Sequence, residues 1–191
     1  MKKIITLLFS TSFLLLACNN ESKDSVQKAD SANKANLDSG NSKQTVATDE
    51  ETSAFLVKAA NGGMAEVQLG QTAEQKATDA GVKKFAAMMV HDHSGANEKV
   101  KTLAAQRNVT LPAVVGDDMK KIMDDLSKKT GRDFDKAYVF EMVKDHENDI
   151  DMFENAEGKV NDSEVKAFIT NTLPTLRMHL DSVKALQKKM K

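Results

Sequence analysis

The residue types best suited to chemistry in this sequence are histidines and carboxylates in its second half. All four histidines lie beyond residue 90 of a chain of 191 residues. Two of them end the same pattern, Met-Val-x-Asp-His, which occurs at residues 89–93 and again at residues 142–146. Such side chains can move protons, bind a metal ion or pair with each other inside a protein. The repeat predicts two equivalent positions and favours duplication of a helical hairpin.

Helical periodicity directs most of these side chains towards the interior of the molecule. At 100° per residue, Glu66 lies in the middle of the apolar stripe of a first predicted helix. Asp92 and His93 fall on either edge of the inner face of a second helix, whereas His91 points outward. The later helices continue the pattern, with Asp145 and His146 on the edges of one inner face, Asp149 inside it, and His179 on the last helix.

The helices that carry these residues define the fold class. Long β-branched and aromatic runs are scarce, and apolar residues recur at helical spacing in four long segments and one short one. The turns between them are short, so we predict an all-α, up-down four-helix bundle with one additional short helix. The short helix is predicted to end near Gly131 as a glycine C-cap, and Asp133 to cap the helix that follows.

The axial position of each residue suggests which side chains meet. Glu66 lies about as far before the first interhelical turn as His93 lies after it, so antiparallel packing brings both to one height. His146 and His179 flank the second turn less symmetrically, by about one helical turn. Carboxylates and imidazoles at one level of a bundle can hold a metal ion. The best ligand candidates are Glu66, His93 and His146, and the ion would be zinc, iron, manganese or copper.

Two interpretations of this cluster remain open. A dinuclear iron centre is disfavoured because the expected Glu-x-x-His pattern fails; Val90, Val143 and Leu176 stand three positions before the three inward histidines. A site for a single transition ion stays acceptable. The preferred interpretation is structural: Glu66 and His93 form a buried hydrogen-bonded pair, and the Asp-His pairs join neighbouring helices.

The N-terminal region predicts export and membrane attachment. Lys2 and Lys3 precede an apolar run that ends in Leu-Leu-Ala-Cys, which resembles the lipobox of bacterial lipoproteins. We therefore expect a signal peptide over residues 1–17, a lipidated Cys18 with a flexible tether over residues 18–51, and a bundle domain over residues 52–191. The outer membrane is the favoured location, with the domain facing the periplasm or the cell surface.

Composition and motifs exclude several functions. The net charge is −1 and no basic footprint is present, so nucleic acid is not an expected partner. No G-x-S-x-G, Walker, G-x-G-x-x-G or H-E-x-x-H motif occurs, and Cys18 is used by the anchor. An enzyme is therefore not the expected assignment. The membrane is the predicted partner through the lipid anchor, and an envelope protein or a second copy of the chain stays open.

Several short motifs in the bundle domain resemble a known family, the bacterial envelope proteins called domain of unknown function 4142. The resemblance covers about residues 53–186, with the motifs at residues 55–70, 89–93, 111–112, 134–138, 142–146 and 173–180. It implies a ferritin-like helical bundle and an envelope location, but no activity. The recurring acidic and histidine positions of that family are matched here by Glu66, Asp92, His93, Asp145, His146 and His179.

The sequence thus predicts a lipid-anchored envelope protein whose ferritin-like bundle has a structural, interaction or stress-related role without catalysis. The alternative is a metal-binding ferritin-like domain with a Glu/His site in the bundle core. Elemental analysis separates the two.

Overall fold

A computed structural model describes residues 24–38 and 48–190 of the chain. Within those two ranges it contains α-helices and no β-strand, which confirms the predicted all-α bundle. None of these helices is both long enough and apolar enough to span a membrane. The predicted signal peptide, Cys18 and part of the predicted tether lie outside the described residues. The helices are α1 (Ser25–Asp38), α2 (Glu50–Lys76), α3 (Ala80–Gln106), α4 (Asp117–Ser127), α5 (Gly131–Lys159) and α6 (Ser163–Lys189).

Aspartate caps define where three of the four long helices begin. Asp49, Asp79 and Asp162 each accept hydrogen bonds from backbone N–H groups in the first turn of α2, α3 and α6. Only residues 77–79 separate α2 from α3, and only residues 160–162 separate α5 from α6. Connections this short force each pair into an antiparallel hairpin, and the two hairpins pack together as the bundle.

The junction between α4 and α5 differs from the prediction. α4 already ends at Ser127, and Gly131 is the first residue of α5, with a φ of 57°, rather than the C-cap of α4. Thr130 occupies the N-cap position of α5, and Asp133 lies in its first turn. The positive φ is accessible to glycine at low cost, which lets the chain reverse over a short link. Asp133 still suits this place because a carboxylate is favoured near a helix N-terminus.

The prediction of a flexible tether over residues 18–51 is wrong for residues 25–38, which form α1. Ala29 and Asn33 are buried on one side of this helix. The Asn33 amide donates to the carbonyl of Thr110 at 2.9 Å and accepts from the Thr110 backbone N–H at 2.7 Å. Two inward positions in a polar segment give almost no periodic signal, which is why composition alone suggested disorder.

The apolar core consists of two clusters separated by a polar layer. One cluster surrounds Phe55 and Phe153, whose ring centroids lie 5.0 Å apart. The other surrounds Met89 and Met142, which are fully buried, as expected for methionines that fill gaps between helices. At Gly70, an added Cβ would lie 2.8 Å from Cγ2 of Val90, so glycine permits the close approach of α2 and α3. The polar layer lies between the two clusters on all four long helices.

Candidate metal centre

Four buried residues at the centre of the polar layer come one from each long helix. Glu66 comes from α2, His93 from α3, His146 from α5 and His179 from α6, and all four are buried. The hairpin geometry explains the meeting, because residues about equally far from a turn lie at one height in an antiparallel pair. Glu66 and His93 face each other as predicted, with His93 Nδ1 2.7 Å from Glu66 Oε2. His179, whose placement the sequence determined least well, joins them.

One nitrogen of each histidine lies close to a common point. Nδ1 of His179 is 3.3 Å from Nε2 of His93 and 3.4 Å from Nε2 of His146. A tetrahedral ion with bonds to nitrogen of about 2.0–2.1 Å would hold its ligand atoms about 3.3–3.4 Å apart. Two of the three separations therefore match a tetrahedral ligand set, and one donor atom from each of the three buried histidines lies within 4.8 Å of the others.

The outer nitrogen of each ring has a hydrogen-bond acceptor. His93 Nδ1 faces the Glu66 carboxylate, His146 Nδ1 lies 2.9 Å from the carbonyl of Met142, and His179 Nε2 lies 2.9 Å from Oδ2 of Asp92. A neutral imidazole that donates its one N–H outward carries a lone pair on its other nitrogen. With this tautomer each ring directs a lone pair towards the other two rings, the arrangement that outer acceptors impose on metal-binding histidines.

The protonation of the rings agrees with this arrangement. Burial lowers the pKa of His93 and of His179, although neighbouring carboxylates act in the opposite direction. Burial, followed by repulsion from His93 and His179, lowers the pKa of His146 to about 3. At neutral pH the rings are therefore uncharged, which is the form that binds metal. Without a proton or a cation between them, the three inward lone pairs have no donor.

The raised pKa values of three carboxyl groups in or beside the layer indicate that positive charge is missing there. Burial raises the pKa of Glu66 well above its ordinary value, and the charge of Asp145 adds to the effect. Burial and the charge of Glu66 also raise the pKa of Asp149 well above its ordinary value. Burial, followed by the charge of Glu141, raises the pKa of Asp145 to about 6. A cation in the layer would stabilise the charged form of all three groups at once.

No lysine or arginine of the described part of the chain is buried in this layer. The one buried cationic side chain among the described residues is Arg107, which binds Asp162 and Glu164 beyond the end of α3. Oε1 of Glu66 is buried 3.7 Å from Nε2 of His146, and none of the described residues donates to it unless Asp149 carries a proton. This oxygen is the natural fourth donor next to three nitrogens.

A cavity of about 40 Å³ adjoins the cluster and is large enough for water. Its polar lining includes Glu66, Asp92, His93, Asp149 and His179.

The structure brings most of the predicted site residues together, and their roles differ. Asp92 and Glu66 orient histidines, while Asp145 is buried beside the layer with Oδ2 lacking a partner among the described residues. Asp149 is half-buried next to Glu66, and His91 is exposed as expected. The carbonyl of Met142 was not identified from the sequence as the hydrogen-bond acceptor for His146. It stands four positions before His146, a helical spacing that could have indicated it.

Comparison with known proteins supports the fold and the family. A solved structure, CopM in the Cu(II)-bound form, matches with a TM-score of 0.63 and 18% sequence identity, over 73% of this chain and 97% of that one. At this identity the likeness shows the fold alone. No curated protein matches the sequence. A family model described as "Domain of unknown function (DUF4142)" matches residues 37–186, and because that is most of the chain, the protein belongs to this family.

Proposed function

We propose that the bundle binds one transition-metal ion within its polar layer. The ligands are Nε2 of His93, Nε2 of His146 and Nδ1 of His179, with Oε1 of Glu66 as the fourth. The observation that carries the proposal is the convergence of three buried imidazoles, with Nδ1 of His179 at 3.3 and 3.4 Å from the inner nitrogens of the other two and an acceptor on the outer side of each ring. Lone pairs this close repel one another unless a proton or a cation lies between them.

Copper(II) is the first candidate for the ion. Imidazole ligands suit copper, zinc, iron and nickel, and copper(II) binds most tightly among the divalent first-row ions. A protein of the same fold has been solved with copper(II) bound, which supports testing this ion first. Zinc is the second candidate, because the nitrogen separations fit a tetrahedral ion.

The role of the bound ion that we propose is retention at the cell envelope without catalysis. Four protein donors would complete the shell of a four-coordinate ion, the closed arrangement of structural sites rather than catalytic ones. The sequence also carries no catalytic motif of the classes considered above. Together with the lipobox ending at Cys18, this favours an anchored protein that holds metal at the membrane.

A purely structural role is the second candidate function. The 2.7 Å contact between the buried Glu66 and His93 favours it, because such a pair joins α2 to α3 with no ion present. In this case the protein would act through its surface on envelope partners, and the polar layer would only specify helix register.

The deciding experiment titrates copper(II) into the purified full-length chain after chelator treatment. We expect one equivalent to bind, with an electron paramagnetic resonance spectrum that shows nitrogen ligands. Competition with a chelator measures the affinity, which should fall by more than about 100-fold in His146→Ala, beyond the usual effect of an outer-shell change.

Asn171→Ala is the matched control, because Asn171 is exposed and lies outside the proposed ligand set. Its equilibrium affinity should equal that of the unmodified chain. Binding of less than about a tenth of an equivalent of copper or zinc, with no thermal stabilisation, would reject the metal function and leave the structural one.

A further inference from the structure

One orienting residue of the candidate centre reaches the protein surface. The side chain of Asp92 is 28% exposed, whereas those of Glu66 and the three histidines are 7% exposed or less. Oδ2 of Asp92 accepts from the buried His179, and Oδ1 contacts Nδ1 of His91 at 2.8 Å. The His91 side chain is 87% exposed. A continuous polar path therefore joins solvent to the centre.

An open groove between α3 and α6 lies over this path. His91, Asp92 and the exposed Met178 line it. The groove and the inner cavity share part of their walls, and the cavity in turn reaches Glu66, His93 and His179. The shared residues are Asp92, Ala96, Phe168, Thr172 and Thr175.

His91 and Asp92 form a hydrogen-bonded surface pair whose two facing atoms can also serve as metal donors. In a tetragonal copper(II) site, bonds of about 2.0 Å at right angles place neighbouring donor atoms about 2.8 Å apart. Nδ1 of His91 and Oδ1 of Asp92 are separated by 2.8 Å. Nδ1 becomes free to bind when the ring proton moves to Nε2, and solvent can accommodate that change because the side chain is exposed.

We propose that the ion enters through the groove between α3 and α6 and binds first to Nδ1 of His91 and Oδ1 of Asp92. From there it passes through the cavity to the three histidines. Asp92 serves both stages, since its other oxygen holds His179 in the orientation that receives the ion. This inference rests on the proposed metal function and adds a second, transient binding site to it.

Stopped-flow mixing of copper(II) with the full-length chain tests the route. An entry site lowers the barrier for both directions of exchange. His91→Ala should therefore slow association and chelator-driven dissociation together, each by about tenfold, within the range over which on-rates commonly vary. The equilibrium affinity should change by less than about twofold, because the final ligands are intact.

Two further variants test whether the change in copper exchange rates is specific to His91 and Asp92. Asn171→Ala removes an exposed polar side chain from the same groove and should leave both rates unchanged. Asp92→Asn should slow association and also weaken equilibrium binding by about 10–100-fold, because it disturbs the partner of His179.

Unchanged rates in His91→Ala would overturn the entry site while equilibrium binding remained intact. Absence of copper binding to the unmodified chain in the equilibrium titration would instead overturn the proposed function, and the entry site with it.

Discussion

Glu66 is a carboxylate at a position where burial alone disfavours charge. It is 1% exposed, and its stable hydrogen-bond partner is Nδ1 of His93. Its second oxygen faces His146 and depends on a proton of Asp149 or on a cation. Such a residue stabilises the fold only while its partners are present.

At the residue scale, Glu66→Ala should therefore destabilise the metal-free protein by about 1–3 kcal/mol, the scale for leaving a buried donor without an acceptor. The physical reason is that His93 loses its acceptor inside the core. Denaturant unfolding in the presence of a chelator measures the change.

The exposed His91→Ala variant serves as control and should fall within about 0.5 kcal/mol of the unmodified chain. Glu66→Gln should retain part of the stability, because an amide oxygen can still accept from His93. Equal midpoints for Glu66→Ala and His91→Ala would contradict the buried pairing.

At the scale of elements, one ion pair joins the end of α3 to the start of α6. Arg107 donates to both carboxylate oxygens of Asp162, at 2.8 Å from Nε and 2.5 Å from Nη2, while Asp162 also caps α6. Burial would raise the pKa of Asp162, but the hydrogen bonds from Arg107 and from the α6 backbone outweigh it and lower the pKa. The charged carboxylate is therefore stabilised in the folded state.

The pH dependence follows from this lowered pKa. A group whose pKa is lower when folded stabilises the protein above its unfolded pKa, about 3.9 for aspartate, and loses that contribution as pH falls through the folded value. The free energy of unfolding should thus decrease between about pH 5 and pH 2. Denaturant titrations across this range should show a smaller decrease in Asp162→Asn. A decrease of equal size in both proteins would show that the ion pair contributes nothing to it.

The docking of α1 is a second property at this scale. Asn33 supplies a donor and an acceptor to the backbone of Thr110, and little else in the helix is buried. Asn33→Ala should release α1 at a cost of about 1–3 kcal/mol, the scale for buried backbone groups that lose a partner. Hydrogen exchange over residues 25–38 should then become fast.

Lys34→Ala, at an exposed position of the same helix, is the matched control and should keep the protection of the unmodified chain. Equal protection in Asn33→Ala and Lys34→Ala would contradict the docking role of Asn33.

At the scale of the whole molecule, the proposed ion would connect all four long helices through one centre. A ligand that binds only the folded state adds stability by mass action, about 2.7 kcal/mol at a concentration 100 times its dissociation constant. Copper(II) or zinc should therefore raise the melting temperature of the full-length chain.

His146→Ala should abolish this increase, since it removes a ligand from α5, whereas His91→Ala should preserve it. Magnesium is a second control, because an ion that prefers oxygen ligands and keeps its water should give no shift. An equal increase with magnesium would indicate nonspecific ion effects.

Much of this architecture follows from the sequence alone. The helical period and short turns predict four long antiparallel helices, and the inward placement of Glu66, His93 and His146 follows from the same period. Equal distances from a turn also predicted the Glu66–His93 contact, because rise per residue is nearly constant in a helix. The α1 helix escaped prediction, since its two buried positions contact residues far away in the chain.

Only the tertiary structure decided the composition of the centre. Sequence spacing places residues to within about one helical turn of 5.4 Å, whereas a coordination shell is specified over about 2 Å. Whether His179 joins His93 and His146 depends on the packing of α6 against α3 and α5. Which nitrogen of each ring faces inward depends on Asp92, Glu66 and the Met142 carbonyl. Those acceptors are positioned by side-chain rotamers and helix rotation, which a linear pattern does not encode.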